Sequence, residues 1–194
     1  TAPSDEDLKN DILLSLAYGF NGARLHQKVF EERFLYHADK LGYIVWGEFP
    51  NWGIALGYSD NRKFTSVSND GLSNFIPEWV EVVERDYNHP CIVGWCPNNE
   101  TWQEQQKEII GIIYDITKAL DKTRPVIDTS GGFHIRTDIY DTHDYTQDVQ
   151  LFRQRYLIDM TENSVYDRFS PKFQKYTGGP YMMSEFGGSL WKRE

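Results

Sequence analysis

Two glutamates carry the first chemical signal in this sequence. Glu100 follows an apolar run, Cys91-Ile-Val-Gly-Trp-Cys96, bounded by Pro90 and Pro97. Such a run reads as a strand buried on both faces, as in a parallel sheet. Asn98, Asn99 and Glu100 come immediately after it, and a helical pattern opens near Thr101. In α/β folds, and in barrels above all, chemistry sits at the C-terminal tips of parallel strands. Taken alone, Glu100 reads more readily as a solvated loop acid or as a charge set against a helix N-terminus. The second glutamate reverses that balance. In Pro180-Tyr-Met-Met-Ser-Glu-Phe-Gly-Gly188, a short apolar strand over Tyr181–Met183 runs into Glu185 and then into a Gly pair that breaks it. Two acids at the ends of two strands of one sheet can face each other across a shared pocket. Glycoside cleavage needs such a pair, one as proton donor and one as partner of the oxocarbenium-like centre.

The elements that must position these acids alternate along the chain. Asp5–Tyr18 carries a helical stripe of Leu8, Ile12, Leu13, Leu16 and Ala17, with Ser4 and Asp7 as its N-cap signature. Gly22–His26 is a short strand ending in Arg24, Leu25 and His26. Phe30–Leu41 is helical and Gly42 closes it. Tyr43–Trp46 is a second apolar strand that leads to Glu48. Residues 51–71 form a long loop containing Trp52 and Tyr58, expected to wall the pocket. Helices follow over Leu72–Tyr87 and Glu104–Leu120. A strand is expected over Pro125–Asp128, running to Thr129-Ser130-Gly131-Gly132, and another over Ile139–Tyr145, with Asp141, His143 and Asp144 near its end. A partial helix spans Val149–Ile158 before the Glu185 strand. This alternation is the pattern of βαβ units and a parallel sheet. Neither GxGxxG nor GxxxxGK[ST] occurs, so the nucleotide-binding versions of this class have no support.

Composition narrows the classes further. A chain of 194 residues suffices for one sizeable core in a single domain. No apolar run approaches the ~20 residues of a membrane span. Thr1–Asn10 is polar and acidic, unlike a signal peptide, which leaves cytoplasmic and exported locations both open. A net charge of −9 argues against a nucleic-acid partner. Cys91 and Cys96 lie too far apart on one extended segment to bridge each other, and read as buried free thiols; this leans towards a reducing compartment. His26, His37, His89, His134 and His143 show no HExxH or close ligand spacing, so no metal or cofactor is expected and a metal-dependent hydrolase has little support.

Several of these stretches, in this order, resemble glycoside hydrolase family 2, the family of β-galactosidases, β-glucuronidases and β-mannosidases. They are Arg24-Leu-His26, Tyr43-Ile-Val-Trp-Gly-Glu48, Asn88-His-Pro-Cys-Ile-Val-Gly-Trp95, Asn99-Glu100 and Ser184-Glu185-Phe-Gly-Gly188. The resemblance implies a (β/α)8 TIM barrel with Glu100 at the end of the fourth strand as acid/base. Glu185, at the end of the seventh, is then the nucleophile of a retaining mechanism. Retention needs carboxyls about 5–5.5 Å apart, and the donor needs a raised pKa beside an ionised partner. Asn99 is similar to the family's asparagine that bonds the sugar 2-hydroxyl. Arg24 looks like the arginine that holds the nucleophile ionised, and a structural ion pair is the other reading of it. His26 resembles a pocket-lining histidine, and Tyr145 stands near the nucleophile. His143 is left between sugar contact and structural support. Glu48 reads as a supporting acid, and Trp46, Trp95 and Trp102 as core or pocket wall.

The same resemblance implies an incomplete barrel, with strands two to seven present and residues 1–194 as a catalytic barrel domain truncated at both ends. An open sheet has raw edges, and either self-association through them or weakened activity is expected. The expected activity is hydrolysis of terminal β-linked sugars, β-galactosidase-like, with a carbohydrate as substrate. The alternatives are β-glucuronidase or β-mannosidase specificity, or a catalytically incompetent barrel fragment that keeps the fold and weak sugar binding. The acidic net charge slightly disfavours an anionic uronate.

Overall fold

The structure, a computed structural model, describes residues 2–51, 69–101, 107–157, 165–167 and 174–188. Helices and strands alternate as the periodicity predicts. The order is α1 (Asp5–Ala17), β1 (Gly22–Arg24), α2 (Glu32–Leu41), β2 (Ile44–Glu48), α3 (Asn69–Asp86), β3 (Ile92–Cys96), α4 (Lys107–Leu120), β4 (Tyr140–Asp144), α5 (Val149–Leu157) and β5 (Tyr181–Phe186). Local chemistry sets several boundaries. The Ser4 hydroxyl accepts the Asp7 N–H while the Asp7 carboxylate accepts the Ser4 N–H, a reciprocal cap that starts α1. Gly42, at a φ of 68°, ends α2 and donates its N–H to the Ala38 carbonyl.

All ladders are parallel. β1, β2 and β3 form one sheet in that order, and β4 and β5 form a second. The stretch between them contributes two isolated parallel bridges to the β3 side, Trp95 with Val126 and Asn99 with Ser130. On its other side, the Val126 carbonyl accepts the Asp138 N–H at 2.9 Å. Strands therefore follow one another across the fold in chain order, and among the described residues the two sheets do not close into a barrel. Helices α1 to α4 pack on the first sheet over a core that includes Phe34, Leu35, Val45, Trp79, Ile92, Trp95, Ile113 and Val126. The Trp79 indole donates to the Thr117 hydroxyl at 2.8 Å, and that of Trp95 to Asp121 at 2.9 Å. Trp95 is thus a core residue with a satisfied polar tip. Cys91 and Cys96 are buried free thiols. No described helix is long and apolar enough to cross a membrane.

Three expectations need correction or fall outside the described residues. Pro125–Asp128 is not a ladder strand, so among the described residues five strands with a bridging stretch replace the expected six. Pro125 has no N–H to give. The Val126 N–H goes to the Asp138 carboxylate at 2.9 Å and the Thr129 N–H to that of Asp128 at 2.9 Å. A side chain has thus taken the Val126 donor, while the Ile127 N–H still reaches the Trp95 carbonyl at 2.9 Å, which leaves a bridge in place of a ladder. The strands expected to stop before Glu48 and Glu185 run on to include them, with Glu48 the last residue of β2 and Glu185 the last but one of β5. Trp52, Tyr58 and most of the long loop lie outside the described residues, as do Trp102 and the expected start of the Glu104 helix.

Candidate active site

Glu185 is held from both sides. Arg24, on β1, donates from Nη2 to Glu185 Oε1, and the Tyr145 hydroxyl donates to Oε2. Arg24 also donates from Nη1 to Glu48 and, at 3.2 Å, to the Asn99 side-chain oxygen. The guanidinium therefore ties β1, β2, the turn after β3 and β5 together. Burial works against its charge, but negative groups that include Glu48 and Glu185 raise its pKa beyond the ordinary arginine value. Burial pushes the Glu48 carboxyl up, and Arg24, the Gln27 N–H at 2.8 Å and His26 pull it back only in part. Burial and the bond to Glu185 also push the Tyr145 hydroxyl up, so Tyr145 remains a donor at neutral pH. His26 is 55% exposed at the rim, with Nδ1 3.5 Å from Glu185 Oε1 and 3.4 Å from Arg24.

Glu100 is presented by a strained turn. Its φ is 46°, in the left-handed region that non-glycine residues avoid. Such a conformation costs of order 1–3 kcal/mol and persists only where neighbours over-determine it. Here the Glu100 N–H donates to the Ser130 carbonyl at 2.8 Å, and the Ser130 N–H donates to the Asn98 carbonyl at 2.9 Å. On the next residue, the Thr101 hydroxyl bonds that of Thr129 at 2.6 Å. From the opposite side, Asn51 clamps the Asn99 backbone. Its amide donates to the Asn99 carbonyl at 3.0 Å, and its side-chain oxygen accepts the Asn99 N–H at 3.3 Å.

His143 joins the two acids. It sits in β4 and its side chain has no exposed surface. Nδ1 lies 2.9 Å from Glu100 Oε1, while Nε2 lies 2.9 Å from the Ser130 hydroxyl and 3.5 Å from Glu185 Oε1. A register shift between Thr142 and His143 sets His143 opposite Glu185. Glu100 and Glu185 thus face opposite nitrogens of one imidazole ring, and all seven residues singled out from sequence fall in one cluster: Glu100, Glu185, Asn99, Arg24, His26, His143 and Tyr145.

Sequence reasoning missed the layer behind that cluster. Asn51, Gln27 and Ser130 gave no signal, because their partners lie far away in sequence. His134 appeared only as an unplaced histidine. It is buried between Asp128, 2.7 Å from Nδ1, and Asp141, 3.1 Å from Nε2. Burial opposes its charge, but the two aspartates hold its pKa up to about 10. Asp141 is held below the usual carboxylate range: burial resists this, and His134, Ser184 and the Gly131 N–H outweigh it. One further group has metal-ligand types. The donor atoms of Asp39, His89 and Cys91 lie within 4.8 Å of one another. Both Asp39 oxygens are already engaged, by His89 at 2.6 Å and the Cys91 N–H at 2.9 Å, and burial raises the thiol far above the range in which it ionises. These three residues clasp the start of β3 to α2.

The chain as a whole has counterparts among known proteins. The family described as "Glycosyl hydrolases family 2, TIM barrel domain" matches residues 2–190. The chain belongs to that family. Among curated proteins, the β-glucuronidase of Sus scrofa is 27% identical over 188 residues, covering 93% of this chain and 27% of that protein. The β-glucuronidase of Chlorocebus aethiops is 35% identical over 121 residues, covering 61% of this chain and 18% of that protein. Among solved structures, a β-D-glucuronidase of Dictyoglomus thermophilum superposes with a TM-score of 0.74 at 23% identity, covering 98% of this chain and 34% of that one. The chain spans about a quarter of the length of the Sus scrofa relative.

Proposed function

We propose that this chain supplies the catalytic centre of a retaining β-glycosidase, with Glu185 as nucleophile and Glu100 as acid/base. The observation that carries this reading is the convergence of both carboxylates on one buried histidine, with Glu185 fixed by a guanidinium and a phenol. In the first step Glu185 attacks the anomeric carbon while Glu100 gives a proton to the departing oxygen. The glycosidic C–O bond breaks and a glycosyl ester forms. In the second step Glu100 takes a proton from water, whose oxygen attacks the anomeric carbon and releases Glu185. Arg24 and Tyr145 orient the Glu185 carboxylate. The Asn99 oxygen accepts from Arg24, which leaves its amide N–H groups to meet a sugar 2-hydroxyl. His26, at the exposed rim, is placed for a further sugar hydroxyl.

For the sugar, a β-linked glucuronide is favoured over the β-galactosidase-like expectation. The curated relatives named above are β-glucuronidases, which outweighs the argument from net charge. The test is covalent trapping. The chain is incubated with 2-deoxy-2-fluoro-β-glucuronyl fluoride and, separately, with its galactosyl counterpart, and adducts are mapped by peptide mass. A uronyl adduct on Glu185 is expected. A galactosyl adduct in its place would restore the galactosidase specificity. A folded chain with neither adduct would favour the reading of a catalytically incompetent fragment.

A further inference from the structure

Behind the two carboxylates runs a chain of hydrogen bonds that the two chemical steps do not use. It begins at Asp141, on β4, which is 1% exposed. Its carboxylate takes the Gly131 N–H at 3.1 Å and faces His134 Nε2 at 3.1 Å. The Ser184 hydroxyl donates to its Oδ2. Ser130 Oγ lies 2.9 Å from Ser184 Oγ and 3.2 Å from Asp141 Oδ2. From Ser130 the next contact is His143 Nε2, at 2.9 Å.

The direction of these bonds follows from proton counting. An ionised carboxylate only accepts, and a hydroxyl has one hydrogen to give. Ser184 gives its hydrogen to Asp141. Ser130 then gives its own to Ser184 or to Asp141, and in either case turns a lone pair towards His143. The hydrogen between Ser130 and His143 must therefore sit on Nε2. A second observation agrees: the same nitrogen faces the Glu185 carboxylate at 3.5 Å, another acceptor. In the neutral ring this leaves Nδ1 with a lone pair, 2.9 Å from Glu100 Oε1.

We propose that Asp141 is a positioning residue for the acid/base. Through Ser184 and Ser130 it fixes His143 with its hydrogen on Nε2, so that Nδ1 and Glu100 share one hydrogen. This rests on the reading of Glu100 as acid/base. The arrangement favours a protonated Glu100 while Glu185 stays ionised, as the first chemical step requires. The opposite tautomer would donate Nδ1–H into the Glu100 carboxylate, favour its ionised form and leave it without the proton that the first step requires. Among the described residues, the ionisable groups around His143 include Glu100 and Glu185 directly, Arg24 through Glu185, Asp141 through Ser130, and Tyr145, whose ring centroid lies 6.1 Å away.

The test is the tautomer itself. Long-range 1H–15N spectra of the 15N-labelled chain at about pH 8, above the ordinary imidazole range, report which ring nitrogen carries hydrogen. The His143 signals are assigned by their loss in His143→Gln. The wild type is expected to show hydrogen on Nε2. Asp141→Asn is expected to turn amide hydrogens onto the serines, reverse the chain and move the ring hydrogen to Nδ1. Ser130→Ala, which leaves Asp141, His134 and Ser184 in place, covers the case in which Asp141→Asn does not fold. It is expected to give averaged shifts of a mixed tautomer. Hydrogen on Nδ1 in the wild type, or an unchanged Nε2–H form in the folded variants, overturns the proposal.

Kinetics then test the link to Glu100. Ser130→Ala is expected to lose at least tenfold more rate on alkyl glycosides than on activated aryl glycosides. A tautomer that changes with equal loss on both substrates would overturn that link while leaving the tautomer assignment intact. A wild-type Nε2–H form in a chain that neither turns over nor traps substrate would count against the proposed function and not against the network.

Discussion

Replacing Gly131 with alanine isolates how tightly His143 is held. Gly131 has a φ of +64°, and a Cβ built on it falls within the His143 imidazole, closer to three ring atoms than any real contact. Two separate penalties follow. The left-handed conformation costs an alanine about 1–2 kcal/mol. Overpacking a close-packed site adds about 1–3 kcal/mol. The ring has no easy retreat, because it is buried and bonded to Glu100 through one nitrogen and to Ser130 through the other. A total of about 2–5 kcal/mol is expected, and for a domain of this size each kcal/mol lowers Tm by roughly 2–4 °C. Gly42→Ala provides the reference. Gly42 has a similar φ of +68° with nothing within 4 Å of its Cβ, so it carries the conformational cost alone. Urea unfolding of the two variants, with the difference read as the cost of displacing His143, is the assay. Gly131→Ala should be the less stable by about 1–3 kcal/mol, and should also lose turnover. Equal stabilities would refute the claim that His143 is fixed in place.

Other predictions concern chemistry, pH and assembly. Glu100→Ala should damage substrates with poor leaving groups far more than activated aryl glycosides, since only the former need protonation; a rate series that falls equally for both removes the acid role. His134 is held up to about 10 by Asp128 and Asp141 against an ordinary value of 6.5. A raised folded-state value stabilises fully below about pH 6.5 and is lost as pH climbs through about 10. Urea midpoints measured across that range should fall in the wild type and fall less in His134→Gln, and parallel profiles would contradict the charged assignment. Among the described residues β1 and β5 each pair on one side only, and we propose that two copies associate through such edges. Sedimentation velocity should then show concentration-dependent dimers, whereas a monomer at every concentration would remove the idea.

Local pattern determined a large part of this protein. The apolar run before Glu100 and the shorter one before Glu185 marked β3 and β5; β3 is buried except at Val93, as an unbroken hydrophobic signature predicts, whereas β5 is only half-buried. The Ser4–Asp7 cap and Gly42 marked helix ends for equally local reasons, a side-chain oxygen within reach of a free N–H and a backbone that only glycine adopts cheaply. Tertiary structure alone decided how the acids meet. Arg24 reaches Glu185 across 161 positions, and Asn51 clamps Asn99 across 48. The register shift at His143, which sets that ring opposite Glu185 in β5, leaves no trace in hydrophobic periodicity. Nor does the Asp128–His134–Asp141 cluster, and Pro125–Asp128 misled because its apolar residues promise a ladder whose Val126 donor Asp138 has taken. Periodicity encodes which residues leave water, whereas partners across a fold are fixed by the register and twist of strands distant in sequence.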